Sequence, residues 1–312
     1  MVALGGGHGL AASLQALRHL TERLTAVVTV ADDGGSSGRL RRELGVLPPG
    51  DLRMALSALC EDGEWGRTWS DVLQHRFRSQ GGLHDHALGN LLIVALWELL
   101  DDPVAGLDWV GQLLGSKGRV LPMTTVPLDI EADVHSGDGP DVLTVVRGQA
   151  AVATTTGRVA GVRIAPADAP GCPEAVTAVR EADWVVLGPG SWYTSVIPHL
   201  LVRDLADALT TTTARRCLTL NLSAPSGETE GLTAADHLDA LAFHAPGLRL
   251  DVVLADPRAA GDVAVLEGAA GALGARLLLR RVGVAGDAER HDPLRLAAAF
   301  RDVFETDHRP SS

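Results

Sequence analysis

The chain has 312 residues, of which 46% are hydrophobic and 4% aromatic, with 35 glycines. That length buries about three quarters of the extended surface without a disulfide or metal staple, and the composition suits a parallel sheet with tight strand–helix turns better than a β-sandwich. A formal net charge of −12 and a pI near 5.3 argue against a general nucleic-acid or membrane-surface binder. No apolar run approaches the ~18–20 residues of a membrane span, and the N-terminus lacks the basic flank of a secretory signal. Cys60, Cys172 and Cys217 lie far apart without ligand spacing, as expected of reduced thiols in a cytosolic protein.

Residues 2–4 form a short apolar run that breaks at glycine and leads into LAASLQALRHL (10–20), which sets Leu10, Leu14 and Leu17 on one helical face. TAVVTVA (25–31) is a β-branched run without alternation, the pattern of a strand buried on both faces. Strand, glycine loop, helix and strand in this order make a βαβ unit. Helices are expected over 51–61, 67–79 and 86–100, the last almost fully buried. From 119 to 166 short β-rich pieces alternate with turn residues, which predicts small antiparallel strands. The βα rhythm resumes with a helix and strand in 174–191, a strand at 216–223, a helix at 234–245 and a strand at 248–256. A helix and last strand in 266–282 and a helix at 292–305 complete it. The expected fold class is α/β: one doubly wound, mostly parallel sheet over residues 1–305, with a small β-rich insertion at about 120–166 and a flexible tail at 306–312.

Ligands of such sheets bind at strand C-termini and helix N-termini, and four segments fall there. In GGGHGLAA (5–12), Gly5, Gly6, Gly7, His8 and Gly9 follow the first strand, and Gly7, Gly9 and Ala12 fit G-x-G-x-x-A. Helix amides and the helix dipole would face a phosphate there; the alternative is a tight structural turn. In TVADDGGSSGRLRRELGVLPPGDLR (29–53), Asp32 and Asp33 end the second strand, placed for ribose hydroxyls or, as a pair, for a divalent ion against a diphosphate. A second glycine/serine loop, Gly34–Gly38, would donate through Gly34, Gly35, Ser36 and Ser37, with Arg39 and Arg53 as charge partners. The plain alternative is a capped helix with a solvated basic face. In GPGSWYTSVIPHL (188–200), Gly188, Gly190, Ser191, Thr194 and Ser195 are loop donors, and Trp192 and Tyr193 offer either stacking surfaces or core packing. In HDHALGNLL (84–92), Asn90 lies near a helix start, and His84 and His86 read as a cap or surface feature rather than metal ligands. No nucleophile elbow, Walker loop or zinc signature is present. The residues alone describe a nucleotide-diphosphate site built from several Gly/Ser loops.

Taken together, GGGHGL, TVADDGGSSGRLRRELGVLPPGDLR, HALGNLL and LGPGSWYTSVIPHLL resemble the YvcK family, also called gluconeogenesis factor or GlmR, within the CofD-like superfamily of 2-phospho-lactate transferases. The similarity is collinear from the first strand to RHD at 290–292. It implies a Rossmann-like CofD fold and a cytoplasmic regulator that binds UDP-sugars, notably UDP-N-acetylglucosamine, and links carbon supply to cell-wall precursor synthesis and cell shape. It implies no required cofactor, magnesium at Asp32 and Asp33 as an optional one, and Arg290 as a UDP-sugar contact. A protein of cell-wall precursor synthesis is the implied partner, with self-association left open. His8 stands where many members carry threonine, and Pro293 follows where some carry a phosphorylatable threonine. The competing functions are a metal-dependent phospho-group transferase related to the superfamily's enzymes and an NAD-type dinucleotide binder.

Overall fold

The computed structural model describes residues 1–135, 142–223, 227–287 and 289–305; the tail expected at 306–312 lies outside the described residues. β1 (Val2–Gly5) is buried along its whole length. α1 (Gly7–Leu17) buries Leu10, Leu14 and Leu17, and β2 (Thr25–Val28) runs parallel to β1 with Gly5 opposite Val28. Five helices then intervene: α2 (Gly35–Leu44), α3 (Gly50–Leu59), α4 (Glu64–Gln74), α5 (Leu88–Leu100) and α6 (Pro103–Leu113). They lead to β3 (Arg119–Pro122), then to β4 (Asp129–His135), β5 (Leu143–Arg147), α7 (Gln149–Ala153) and β6 (Arg158–Ala165). After α8 (Pro173–Arg180) and β7 (Trp184–Leu187) comes a π-helical turn (Trp192–Val196), followed by α9 (Pro198–Leu201) and α10 (Arg203–Thr211). β8 (Arg215–Thr219), α11 (Ala234–His244), β9 (Val252–Ala255), α12 (Val263–Ala272), β10 (Arg276–Leu279) and α13 (Pro293–Glu305) finish the order.

Among the described residues seven strands make one sheet in the order β10-β9-β8-β7-β1-β2-β3, and every neighbouring pair is parallel. β1, β7 and β9 are buried residue by residue, which requires cover on both faces and explains their unbroken apolar runs. The order reverses between β1 and β7: β2 and β3 extend to one side, β8 to β10 to the other. Ligands bind beyond the strand C-termini at such a switch point. Here the two strands end level, with Gly188 N donating to Leu4 O at 3.0 Å. No helix among the described residues is long and apolar enough to cross a membrane.

Five local expectations change. The helix expected at 86–100 as almost fully buried starts at Leu88 and leaves Leu99 and Leu100 exposed. The glycine/serine run after Asp33 is the first turn of α2 rather than a loop; serine is neutral to helix formation, and Gly34 supplies the cap. Arg119–Pro122 is the parallel edge strand of the main sheet, so the antiparallel sheet, ordered β5-β4-β6, begins at Asp129. α6 is a helix where none is expected from the sequence, although Asp102 caps it through Val104 N at 2.9 Å and Ala105 N at 3.1 Å with proline in its first turn, a legible start signal. The helix expected over 67–79 ends at Gln74, and the chain folds back so that Arg76 pairs with Ala87.

Candidate functional site

Above the switch point the first and third glycine loops touch. Gly6 caps α1 with no side-chain bond and no acidic residue in the first turn, while Gly7 takes φ +57° and Gly188 φ +69°, left-handed values that favour glycine. Ser13 Oγ donates from α1 to Gly188 O at 2.9 Å, and Thr29 Oγ1 donates to Ser195 O at 2.9 Å. A Cβ on Gly9 would lie 2.2 Å from Pro189 O, so helix and loop meet backbone to backbone. Beside this contact opens a cleft of about 400 Å³ lined by His8, Gly9, Pro189, Gly190, Ser191, Asn221, Leu222, Ser223, Glu289 and His291. The α1 N-terminus, with its positive dipole end, forms one wall.

The third loop is held from behind. Asn221, which no sequence motif singled out, accepts from Gly190 N at 2.9 Å and returns a bond from Nδ2 to Gly190 O at 2.9 Å. The Gly190 amide expected to meet a ligand is therefore already paired. Ser195 lies beside Gly6, its Oγ 3.2 Å from where a Cβ on that glycine would stand. Trp192 and Tyr193 are buried rather than presented as stacking surfaces: Trp192 packs on His237 with ring centroids 5.0 Å apart, and Tyr193 meets His244 edge-on. Thr194 is buried too and bonds the Glu228 carboxyl, which also takes the amides of Trp192 and Tyr193, the latter at 3.2 Å. Burial pushes Glu228 up to about 7.

Asp32 and Asp33 diverge. Asp32 Oδ1 accepts from Gly34 N at 2.9 Å, and its other oxygen lies toward Gly50 beside Ser37. Asp33 Oδ1 accepts from Ala150 N at 2.9 Å in the first turn of α7, tying the three-stranded sheet to the main body. The expected twin-carboxylate metal pair is thus replaced by one carboxylate at the site and one at a helix start. Asp33→Ala is expected to lower stability by about 1 kcal/mol, the worth of a helix cap, as read by urea denaturation. Gly35 is exposed with φ +48°. Ser36 is the hub of a buried chain: it bonds His86 Nδ1 at 2.9 Å and receives Asn90 Nδ2 at 3.0 Å, while Asn90 Oδ1 accepts Arg53 Nε at 2.9 Å. Burial first, then Arg76, brings the Arg53 guanidinium down to about 10.

The carboxylate that does reach the first loop is Asp51. It accepts from the Gly7 amide, and its Oδ2 lies 2.5 Å from where a Cβ on Gly6 would stand. Burial, then the neighbouring Asp32, pushes it up to about 7. Among the described residues no group of three or more His, Cys, Asp and Glu side chains is set to hold a metal ion. Asp32 and Asp51 offer hard oxygens from two elements, a set that suits magnesium only with phosphate oxygens completing the shell. Arg39 turns away toward Gly82 O, 3.4 Å from its Nη1. Arg290 is exposed, its Nε 3.7 Å from Asp287, while its neighbours Glu289 and His291 line the cleft. His84 is exposed, and His86 Nδ1 pairs with Ser36 Oγ at 2.9 Å.

A family profile described as 2-phospho-L-lactate transferase CofD matches residues 1–269. A protein of Mycobacterium leprae named "Putative gluconeogenesis factor" is 57% identical over 257 residues, covering 82% of this chain and 72% of that one. A "Gluconeogenesis factor" of Halalkalibacterium halodurans is 39% identical over 244 residues, covering 78% and 73%. A crystal structure of a UPF0052 family member from Bacillus halodurans superposes with a TM-score of 0.85 at 34% identity, covering 96% of this chain and 97% of that one.

Proposed function

The chain belongs to the CofD family, and on that premise we propose that it is a UDP-sugar-binding regulator of the gluconeogenesis-factor kind. UDP-N-acetylglucosamine is the proposed ligand, and the proposed role is to link carbon supply to cell-wall precursor synthesis. The observation that carries the reading is the cleft where the α1 N-terminus faces the Gly188–Ser191 loop at the switch point. The helix amides and Ser191 suit a diphosphate, the walls made by Asn221, Leu222, Ser223, Glu289 and His291 suit a nucleoside, and Arg290 is the exposed cation next to them in sequence. Saturating UDP-N-acetylglucosamine is expected to stabilise the protein by about 2.7 kcal/mol at one hundred times its dissociation constant. A thermal-shift series across UDP-sugars, GDP and NAD, with and without magnesium, reads this. An unchanged melting temperature with every UDP-sugar would sink the proposal, and a larger shift with NAD would change the ligand class.

Asp51 supports a second reading, phospho-group transfer. Held half-neutral beside Asp32 at the first loop, it is suited to take a proton from an attacking hydroxyl. Magnesium bound with these two carboxylates would neutralise charge on the transferring group.

A further inference from the structure

One buried side chain that lines the cleft carries a polar atom with no partner among the described residues. His291 is 7% exposed and lines the cleft. One ring nitrogen bonds the Leu220 backbone, and Nε2 has no hydrogen-bond partner among the described residues. Since the bond to Leu220 is made to a carbonyl, the proton sits on Nδ1 and Nε2 is a bare acceptor. Burial pulls the imidazole down to about 4, so this acceptor persists at neutral pH. Buried acceptors left unsatisfied are rare and call for a partner. Glu289, another acceptor, lines the same cleft. Two acceptors together fit a group with two donors, and the ribose diol of a nucleotide supplies two adjacent ones.

We propose that His291 reads the ribose of the bound nucleotide, its Nε2 accepting a hydrogen bond from a ribose hydroxyl, so that the cleft selects ribonucleotides. The inference rests on the nucleotide reading above and adds the group that sets its sugar specificity. It also assigns the RHD segment a role through its histidine.

The test is calorimetric titration of the full chain with uridine diphosphate and with 2′,3′-dideoxyuridine diphosphate, which lacks both hydroxyls. Wild type is expected to bind the ribonucleotide about tenfold more tightly, the worth of one buried hydrogen bond whose loss strands an acceptor. In His291→Phe, which keeps the ring and removes the acceptor, that ratio should fall severalfold, leaving only what the exposed Glu289 contributes. The ratio is read rather than either affinity because the variant also strands the Leu220 carbonyl and can weaken both ligands alike. His291→Gln, which restores an acceptor, should recover part of the ratio. A ratio near one in wild type overturns the proposal without any variant. An undiminished ratio in His291→Phe overturns it as well and hands the role to Glu289. Binding of neither nucleotide by wild type overturns the nucleotide reading together with this inference.

Discussion

Gly9→Ala is expected to abolish UDP-sugar binding and to lower stability by about 2–3 kcal/mol, the cost of forcing atoms into a packed contact. The added Cβ would lie 2.2 Å from Pro189 O, 2.6 Å from Pro189 C and 2.8 Å from Gly190 Cα. All three are backbone atoms, so no side chain can swing aside. Either α1 or the Gly188–Ser191 loop must move, and both form walls of the cleft. Urea denaturation and a UDP-N-acetylglucosamine thermal shift on the same sample would measure both losses. Gly271→Ala on α12 is the contrast: nothing lies within 4 Å of its Cβ position, and the change should be neutral or stabilise by up to about 1 kcal/mol. A Gly9→Ala protein with wild-type stability and an unchanged shift would show that the two loops do not form one site.

Asp51→Asn should make the protein more stable in mildly alkaline solution. Asp51 has an ordinary value of 3.8 and is raised to about 7 in the fold, by burial first and then by Asp32. The folded protein therefore holds this proton more tightly than the unfolded chain does. The stabilisation from that proton is complete below 3.8 and is lost as pH rises through 7. Asparagine is neutral throughout and can still accept from the Gly7 amide. At pH 8 the variant should exceed wild type by roughly 2–4 kcal/mol, discounted for partial exposure, and the gap should close as pH falls toward 4. Denaturation at a series of pH values gives the answer, and a gap independent of pH would mean that Asp51 is solvated. The same variant separates the two functional readings. A binding regulator keeps its UDP-sugar shift in Asp51→Asn, whereas a transferase loses metal-dependent turnover.

The strand–glycine–helix grammar was legible in the chain because each unit is local: an apolar run, a glycine, then a helical face. It located β1, β2 and β7, and with them the first and third loops. Four of the site's defining side chains carry no local signal. Asn221 clamps Gly190 across 31 positions, Glu228 caps the π-helical turn across 35, Asp51 meets the first glycine loop from α3, and His291 reaches the cleft beside Leu220. Within PGDLR, Asp51 reads simply as an acid in a helix start. Ser36, Asn90 and Arg53, read from two separate segments as ligand contacts, bond one another in the interior, a partnership between positions 36, 53 and 90 that no local pattern announces. Asp33 misled for a related reason: adjacent carboxylates at a strand end look like a pair, but the chain turns between them.

The most direct test is a crystal structure of the protein with UDP-N-acetylglucosamine. The diphosphate is expected between the Gly6–Gly9 turn and Ser191, with the uridine against Asn221 and His291. A nucleotide seated elsewhere, such as the cavity lined by His75, Arg76, Arg78 and His84, would contradict it.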